Sequence, residues 1–243
     1  MEISKSDAYA RAYRRILYVT FLEALSNSVP NFSFASLIEK FSDWNDSNRI
    51  SLPELQKVLQ ELLKEKGSNA EEEVPKPSTW LETNSFKDRF EKLLEWVETE
   101  VHKTSQRKIS EDPFFEDFVQ YWPKDCSGNP VCFHYTSEKK LPKLGPERFK
   151  HSHLLYGERN ALAHEFRSRF GDFDGPDEDE DEPVYCPTEN LLTGQQTLEL
   201  LYPEKFLYRL CDHTLCNVKC YFVKNEIDPI EIINSNSRSY LVR

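Results

Sequence analysis

The sequence predicts a mainly α protein with a small β appendage at its C-terminus. Apolar residues recur at helical spacing in several separate stretches from the N-terminus to about residue 210. Two of those stretches open with the residue order of a capping box, in which side chains satisfy the first unpaired N–H groups of a helix. Beyond them the character changes, because "VKCYFV" and "IEII" have the β-branched and aromatic make-up of strands.

In chain order, residues 6–24 place Tyr9, Tyr13, Ile16, Leu17 and Phe21 on a helical repeat, and a short helix is expected over 34–41. Ser51, Pro53 and Glu54 start a third helix: serine suits the cap, proline the first turn and an acid the third position. Its apolar stripe is Leu55, Val58, Leu59 and Leu62. "GSNAEEEVPKPS" (67–78) breaks the pattern with glycine, proline and acids, and reads as a linker or exposed loop. A fourth helix is expected over 85–102, with Ser85 and Asp88 at capping-box spacing and Phe86, Phe90, Leu93, Leu94 and Val97 on its buried side. "DPFFEDFVQYW" supplies a shorter fifth. Residues 123–146 are irregular, with a turn in "SGNP" and a short strand expected over 131–135. Helix resumes at Pro146, and its apolar set runs to Phe170. A last helix, over 193–210, precedes the β-like tail.

The 243 residues suffice for one large domain or two small ones. No run approaches the eighteen consecutive apolar residues of a membrane span. The N-terminus has arginines but no apolar run or small-residue cleavage site after them, so it reads as a folded helix and not as a signal peptide. Six cysteines in a chain of this length are too sparse for a disulfide scaffold, and reduced thiols in the cytoplasm are the expectation. A net charge of −11 argues against nucleic acid as a partner, but the average hides an asymmetry. Between Lys139 and Arg169, eight Lys/Arg face only three acids.

That basic segment contains "YGERNALAHEFR" (156–167). Leu155, Leu162 and Phe166 fall on one apolar row of a helix, and the position that completes the row is Arg159. Residues five apart lie roughly 140° apart around a helix, so His164 stands on a different row, with Tyr156, Asn160 and Arg167. Ala163 lies between the two rows and leaves room for an approaching surface. A guanidinium fork fits phosphate oxygens and the extra charge of a pentacoordinate transition state. An imidazole can take a proton from a 2′-hydroxyl or give one to a leaving 5′-oxygen. RNA carries its own nucleophile, so neither a metal nor another cofactor is expected. The bland alternative is an arginine that snorkels at the edge of the stripe or pairs with a buried acid.

Arg159-Asn160-Ala161-Leu162-Ala163-His164 resembles the R-polar-x3-H motif of the HEPN superfamily, all-α domains that include metal-independent ribonucleases of toxin, CRISPR and phage-defence systems. The resemblance covers six residues directly and implies a HEPN-like helical bundle over 81–215, between an N-terminal helical region (1–80) and a β-like tail (216–243). It implies Arg159 as transition-state stabiliser, His164 as general acid or base and Asn160 in support, shared across a homodimer groove. RNA would be the substrate, cleaved to a 2′,3′-cyclic phosphate and a 5′-hydroxyl, with Tyr156, Arg167, Lys150 and Lys143 as RNA contacts. An antitoxin or defence-system protein is the further partner it implies. In the branch silenced by nucleotidylation a tyrosine lies two positions after the histidine; Phe166 stands there instead and has no hydroxyl to modify. A non-catalytic dimer of the same superfamily, with Arg159 as a structural ion-pair partner, is the competing expectation.

Two other segments invite a site. Cys211, His213, Cys216 and Cys220 are four soft ligands within ten residues, but their spacing matches no zinc pairing, and buried thiols are the simpler reading. The acidic run 172–182 reads as a solvated loop, the alternative being a charge mimic that covers the basic groove.

Overall fold

In the computed structural model the described residues are 5–68, 83–101, 108–124, 127–130, 145–165, 180–189 and 196–232. They are mainly helical, with one small antiparallel two-stranded sheet. Among them no helix is long and apolar enough to cross a membrane. The chain divides into two compact units that alternate along the sequence. The first takes Met1–Ser47, Ser152–Cys186 and Leu200–Arg243; the second takes Asn48–His151 and Pro187–Glu199.

The first unit is built from α1 (Lys5–Ser28), α2 (Phe34–Phe41), the body of α6 (His151–Glu165) and α7 (Glu204–Lys224). α2 has the extent its periodicity predicts, and its start is explicit. Ser33 N–H donates to Ser36 Oγ at 2.8 Å while Ser36 N–H donates to Ser33 Oγ at 3.3 Å, a reciprocal cap. Phe34, Leu37, Ile38 and Phe41 form its buried face. The helix ends at Phe41 with Ser42 as its cap, and Asp43 next to it has a φ of 57°, in the left-handed region that stops further helical turns. Asn217 on α7 donates from Nδ2 to Phe41 O and to Asp43 Oδ2, both at 2.9 Å, so α7 satisfies a carbonyl that the helix end leaves without a partner. Val29, Leu37, Phe41 and Val218 make the core here, with Leu25, Phe32, Tyr221 and Phe222 packed against it.

α1 carries apolar residues on two faces. Val19 and Leu22 are fully buried and face the packing with α2 and α7. The repeat most visible in the sequence, Tyr13, Leu17 and Phe21, is the outward one.

The second unit pairs α3 (Leu52–Ser68) with α4 (Thr83–Val101), and adds the short α5 (Phe115–Phe118) and a 3-10 turn at Pro146–Phe149. Leu52, Leu55 and Leu59 meet Leu93, Val97 and Val101, and Phe118, Trp122 and Phe149 close the core. α3 packs on α4 within this unit. Ser51 caps α3 by accepting from Glu54 N–H at 3.4 Å. The Glu54 carboxylate accepts from Lys57 Nζ at 2.9 Å.

Three distant segments cross at the start of α3. Ile50 N–H donates to Pro113 O at 2.9 Å, Ser51 N–H to Phe149 O at 2.9 Å and His151 N–H to Arg49 O at 3.0 Å. The side chains of Asp112 and His151 lie at the crossing with no exposed surface, Oδ2 and Nε2 being 3.0 Å apart. Asp112 also accepts from Leu52 N–H through Oδ1 (3.5 Å) and from Arg49 Nη1 through its carbonyl (2.5 Å). The Arg49 guanidinium in turn lies 3.7 Å over the Phe114 ring.

The C-terminal β appendage is the main correction. The strands are β1 (Val184–Glu189) and β2 (Gln196–Leu201), whereas "VKCYFV" lies in α7 and residues 229–232 are helical. In α7 Leu207, Leu210, Cys211, Thr214 and Val218 are buried at steps of three and four, a helical repeat that outweighs the strand-like local composition. β2 takes residues 196–201 of the helix expected over 193–210, whose last part, 204–210, is helical as the start of α7. Pro203 disfavours helical backbone at the residue before it, so the segment enters α7 from an extended chain. The strand expected over 131–135 lies outside the described residues. So does the linker beyond Ser68.

Removing the His151 ring takes from the buried Asp112 carboxylate the imidazole that meets its Oδ2. His151→Ala is therefore expected to lower unfolding free energy by about 3–5 kcal/mol in a urea titration. A loss below about 1 kcal/mol, the scale of an ordinary hydrogen bond, would show that the crossing holds without the pair.

Candidate functional site

α6 buries Leu154, Leu155, Glu158, Ala161 and Leu162. Arg159 stands at the edge of that face, and its side chain is only 12% exposed. Glu23 of α1 answers the charge: its Oε2 forms an ion pair with Arg159 Nη2. Arg159 Nη1 donates to Asn160 Oδ1 at 2.6 Å. One end of the guanidinium fork is thus committed to a carboxylate and the other to the neighbouring amide. Burial pulls the Arg159 pKa below its ordinary value, yet arginine starts so far above neutrality that it remains charged.

Asn160 is therefore oriented by Arg159. Tyr156 is 40% exposed and lies against Phe34, with ring centroids 5.4 Å apart. His164 is on α6, but its side chain, like Arg167 and Lys143, lies outside what the structure describes. Lys150 belongs to the second unit and sits 4.4 Å over the Phe115 ring. Of the seven residues expected to act together, four have described side chains, and among these Arg159 and Asn160 are joined by a direct hydrogen bond.

The residue missed by sequence reasoning is Glu23. A signal existed: α1 contains only two acids, Asp7 and Glu23, and Glu23 lies in its apolar second half. An isolated acid there and an isolated arginine in the apolar row of α6 are each costly alone and compensate each other when paired.

The cysteine cluster resolves onto one helix. Cys211, His213, Cys216 and Cys220 are all on α7, Cys211 buried and the other three exposed. Cys211 Sγ donates to Tyr18 O at 3.4 Å, and burial pushes its thiol pKa up to about 12. Among the described residues no group of three or more His, Cys, Asp or Glu is placed to hold a metal ion.

The second unit carries an open cleft of about 360 Å³. Trp96 and Tyr121 stack at 5.1 Å on its wall, and Lys92 and Lys124 also line it.

No protein-family model matches the chain, and neither a curated protein nor a solved structure does.

Two outcomes follow from the geometry. In a double-mutant cycle, Arg159→Ala and Glu23→Ala should each cost about 1–3 kcal/mol, and together little more than either alone, because each removes the same charge-assisted contact. Additive losses would show that the two side chains do not depend on each other. Iodoacetamide at pH 8 should modify Cys216 and Cys220 and spare Cys211. A thiol with a pKa of about 12 is protonated there, and only the thiolate reacts. Peptide mass spectrometry reads the outcome, and modification of Cys211 in the folded chain would contradict its burial.

Proposed function

We propose that this chain is a non-catalytic helical interaction module of the HEPN type, in which Arg159 serves as a structural ion-pair partner. The observation that carries this reading is the engagement of Arg159 by Glu23 and Asn160. Stabilising a pentacoordinate phosphate requires guanidinium donors aimed at its equatorial oxygens. Here one fork position faces a carboxylate and the other an amide oxygen. A phosphate entering at this point would meet the negative charge of Glu23 and would have to displace it.

The second reading is the metal-independent endoribonuclease. Two observations favour it: Arg159, Asn160 and His164 follow one another on α6 in the order of the motif, and the cleft beside Trp96 and Tyr121 combines stacked aromatic rings with lysines. Aromatic rings stack on bases and lysines contact phosphates in proteins that bind single strands.

Incubation with total cellular RNA in EDTA separates the two. Wild type, Arg159→Ala, His164→Ala and Glu23→Gln are expected to leave the RNA intact. Cleavage by wild type that yields 5′-hydroxyl ends, and that disappears in Arg159→Ala and His164→Ala, would overturn the module and establish the ribonuclease. In that case Glu23→Gln should cut faster than wild type, because the guanidinium would be released to the phosphate.

A further inference from the structure

The three cysteines of α7 separate by the side of the helix each occupies. Leu207, Leu210, Cys211, Thr214 and Val218 are buried and define its inward face. At about 100° per residue, Cys216 lies directly opposite the centre of that face, and Cys220 stands only about 40° around the helix from Cys216. Both are exposed. Cysteine is among the side chains most often buried, because its thiol behaves as a small hydrophobe. Cys211 follows that rule, whereas Cys216 and Cys220 depart from it one above the other. The packing of α7 uses neither of them.

One turn of helix limits what two such thiols can do. Residues four apart hold their Cβ atoms about 5–6 Å from each other. A disulfide needs Cβ atoms about 3.5–4.5 Å apart, so the two sulfurs do not bond to each other while α7 stays helical. A bridging ion removes the mismatch. With a thiolate–metal bond of about 2.3 Å on either side, a straight sulfur–metal–sulfur line spans about 4.6 Å. That span suits two side chains that leave adjacent turns of one helix face in parallel. The turns themselves are anchored, because Thr214 and Val218 are 0% and 1% exposed and Thr214 Oγ1 donates to Leu210 O at 2.6 Å.

The donor set selects the ion. Thiolates are soft ligands, whereas calcium and magnesium take oxygen. Zinc in a structural site takes four donors. Among the described residues no group of three or more His, Cys, Asp or Glu is placed to hold a metal ion, so the face offers two sulfurs without the further donors that zinc requires. Monovalent copper is soft, has a filled d shell and accepts two sulfurs in line.

We infer that Cys216 and Cys220 form a two-sulfur site for monovalent copper on the outer face of α7. Each thiol gives its proton to solvent as the ion binds, and the copper keeps its oxidation state. The site is independent of the proposed function, since copper on this face neither requires nor excludes RNA cleavage.

Anaerobic competition with bicinchoninate, a coloured chelator of monovalent copper, tests the site on the full chain. Wild type should withdraw one copper per chain. Cys216→Ser and Cys220→Ser should each bind it at least about 100-fold more weakly, because each removes one point of a two-point attachment. Cys126→Ser, Cys132→Ser and Cys186→Ser should leave the affinity unchanged. Cys220→Ser combined with Asp212→Cys rebuilds a one-turn pair on exposed positions of the same helix and should restore binding. X-ray absorption of the copper-loaded chain should show two sulfur neighbours. Helical circular dichroism, unchanged in each variant, confirms that α7 is intact. Several results would each overturn the inference: no copper withdrawn by wild type, full affinity in Cys216→Ser or Cys220→Ser, loss of affinity in Cys126→Ser, Cys132→Ser or Cys186→Ser, one copper shared by two chains, or no rescue by the rebuilt pair.

Discussion

The second unit depends on one buried carboxylate. Asp112 has no exposed side-chain surface, yet it meets His151, the first amide of α3 and, through its carbonyl, Arg49. Its partners come from two stretches far from it and from each other in the sequence, Arg49–Leu52 and His151. A buried acid without partners would be strongly unfavourable, so each contact both satisfies Asp112 and fixes where a segment must run. The backbone bonds among Ile50, Pro113, Ser51, Phe149, Arg49 and His151 then follow as a short three-strand crossing. α3 leaves this point along its own axis, and its leucines reach Leu93 and Val97 of α4.

Charge is handled by the same rule in the first unit. Arg159 stands where the pattern of α6 calls for an apolar side chain, and Glu23 stands in the apolar half of α1. Neither is explained by its own helix. Together they join two helices through a contact that apolar packing would not orient so narrowly, because a guanidinium and a carboxylate meet in few geometries. A sequence motif associated with phosphodiester chemistry and an intramolecular ion pair therefore occupy the same side chain. The proposed function turns on which of the two claims that guanidinium.

Local order was legible in the sequence wherever it is set by neighbours three and four residues apart. α2 has the bounds its periodicity predicts, Ser51 caps α3 as expected, and α4 begins two residues ahead of its expected cap. What failed was composition used without period. The valine and aromatic residues of 218–223 suggested a strand, although Leu210, Thr214, Val218 and Tyr221 continue a helical repeat. At the candidate site, Arg159 was recognisable as out of place, and its answer was not. Glu23 is distant in the chain, and no spacing rule links two helices that meet only through tertiary packing. The Asp112–His151 pair escaped for the same reason. The outward stripe of α1 was read as a helix signal, because periodicity reports that a face is apolar without saying what the face touches.

The crossing at Ile50 has a consequence for how the chain reaches its fold. α3 and α4 adjoin in sequence and can meet as soon as both exist, a step that closes a modest loop. The segment that launches α3, by contrast, is flanked by Pro113 on one side and by Phe149 and His151 on the other. During synthesis from the N-terminus its last hydrogen bonds must wait until residue 151 has left the ribosome. Such non-local closure is entropically slow and comes late. Until then the Asp112 carboxylate has no imidazole to receive it and stays hydrated, so the second unit cannot lock before the first residue of α6 is in hand.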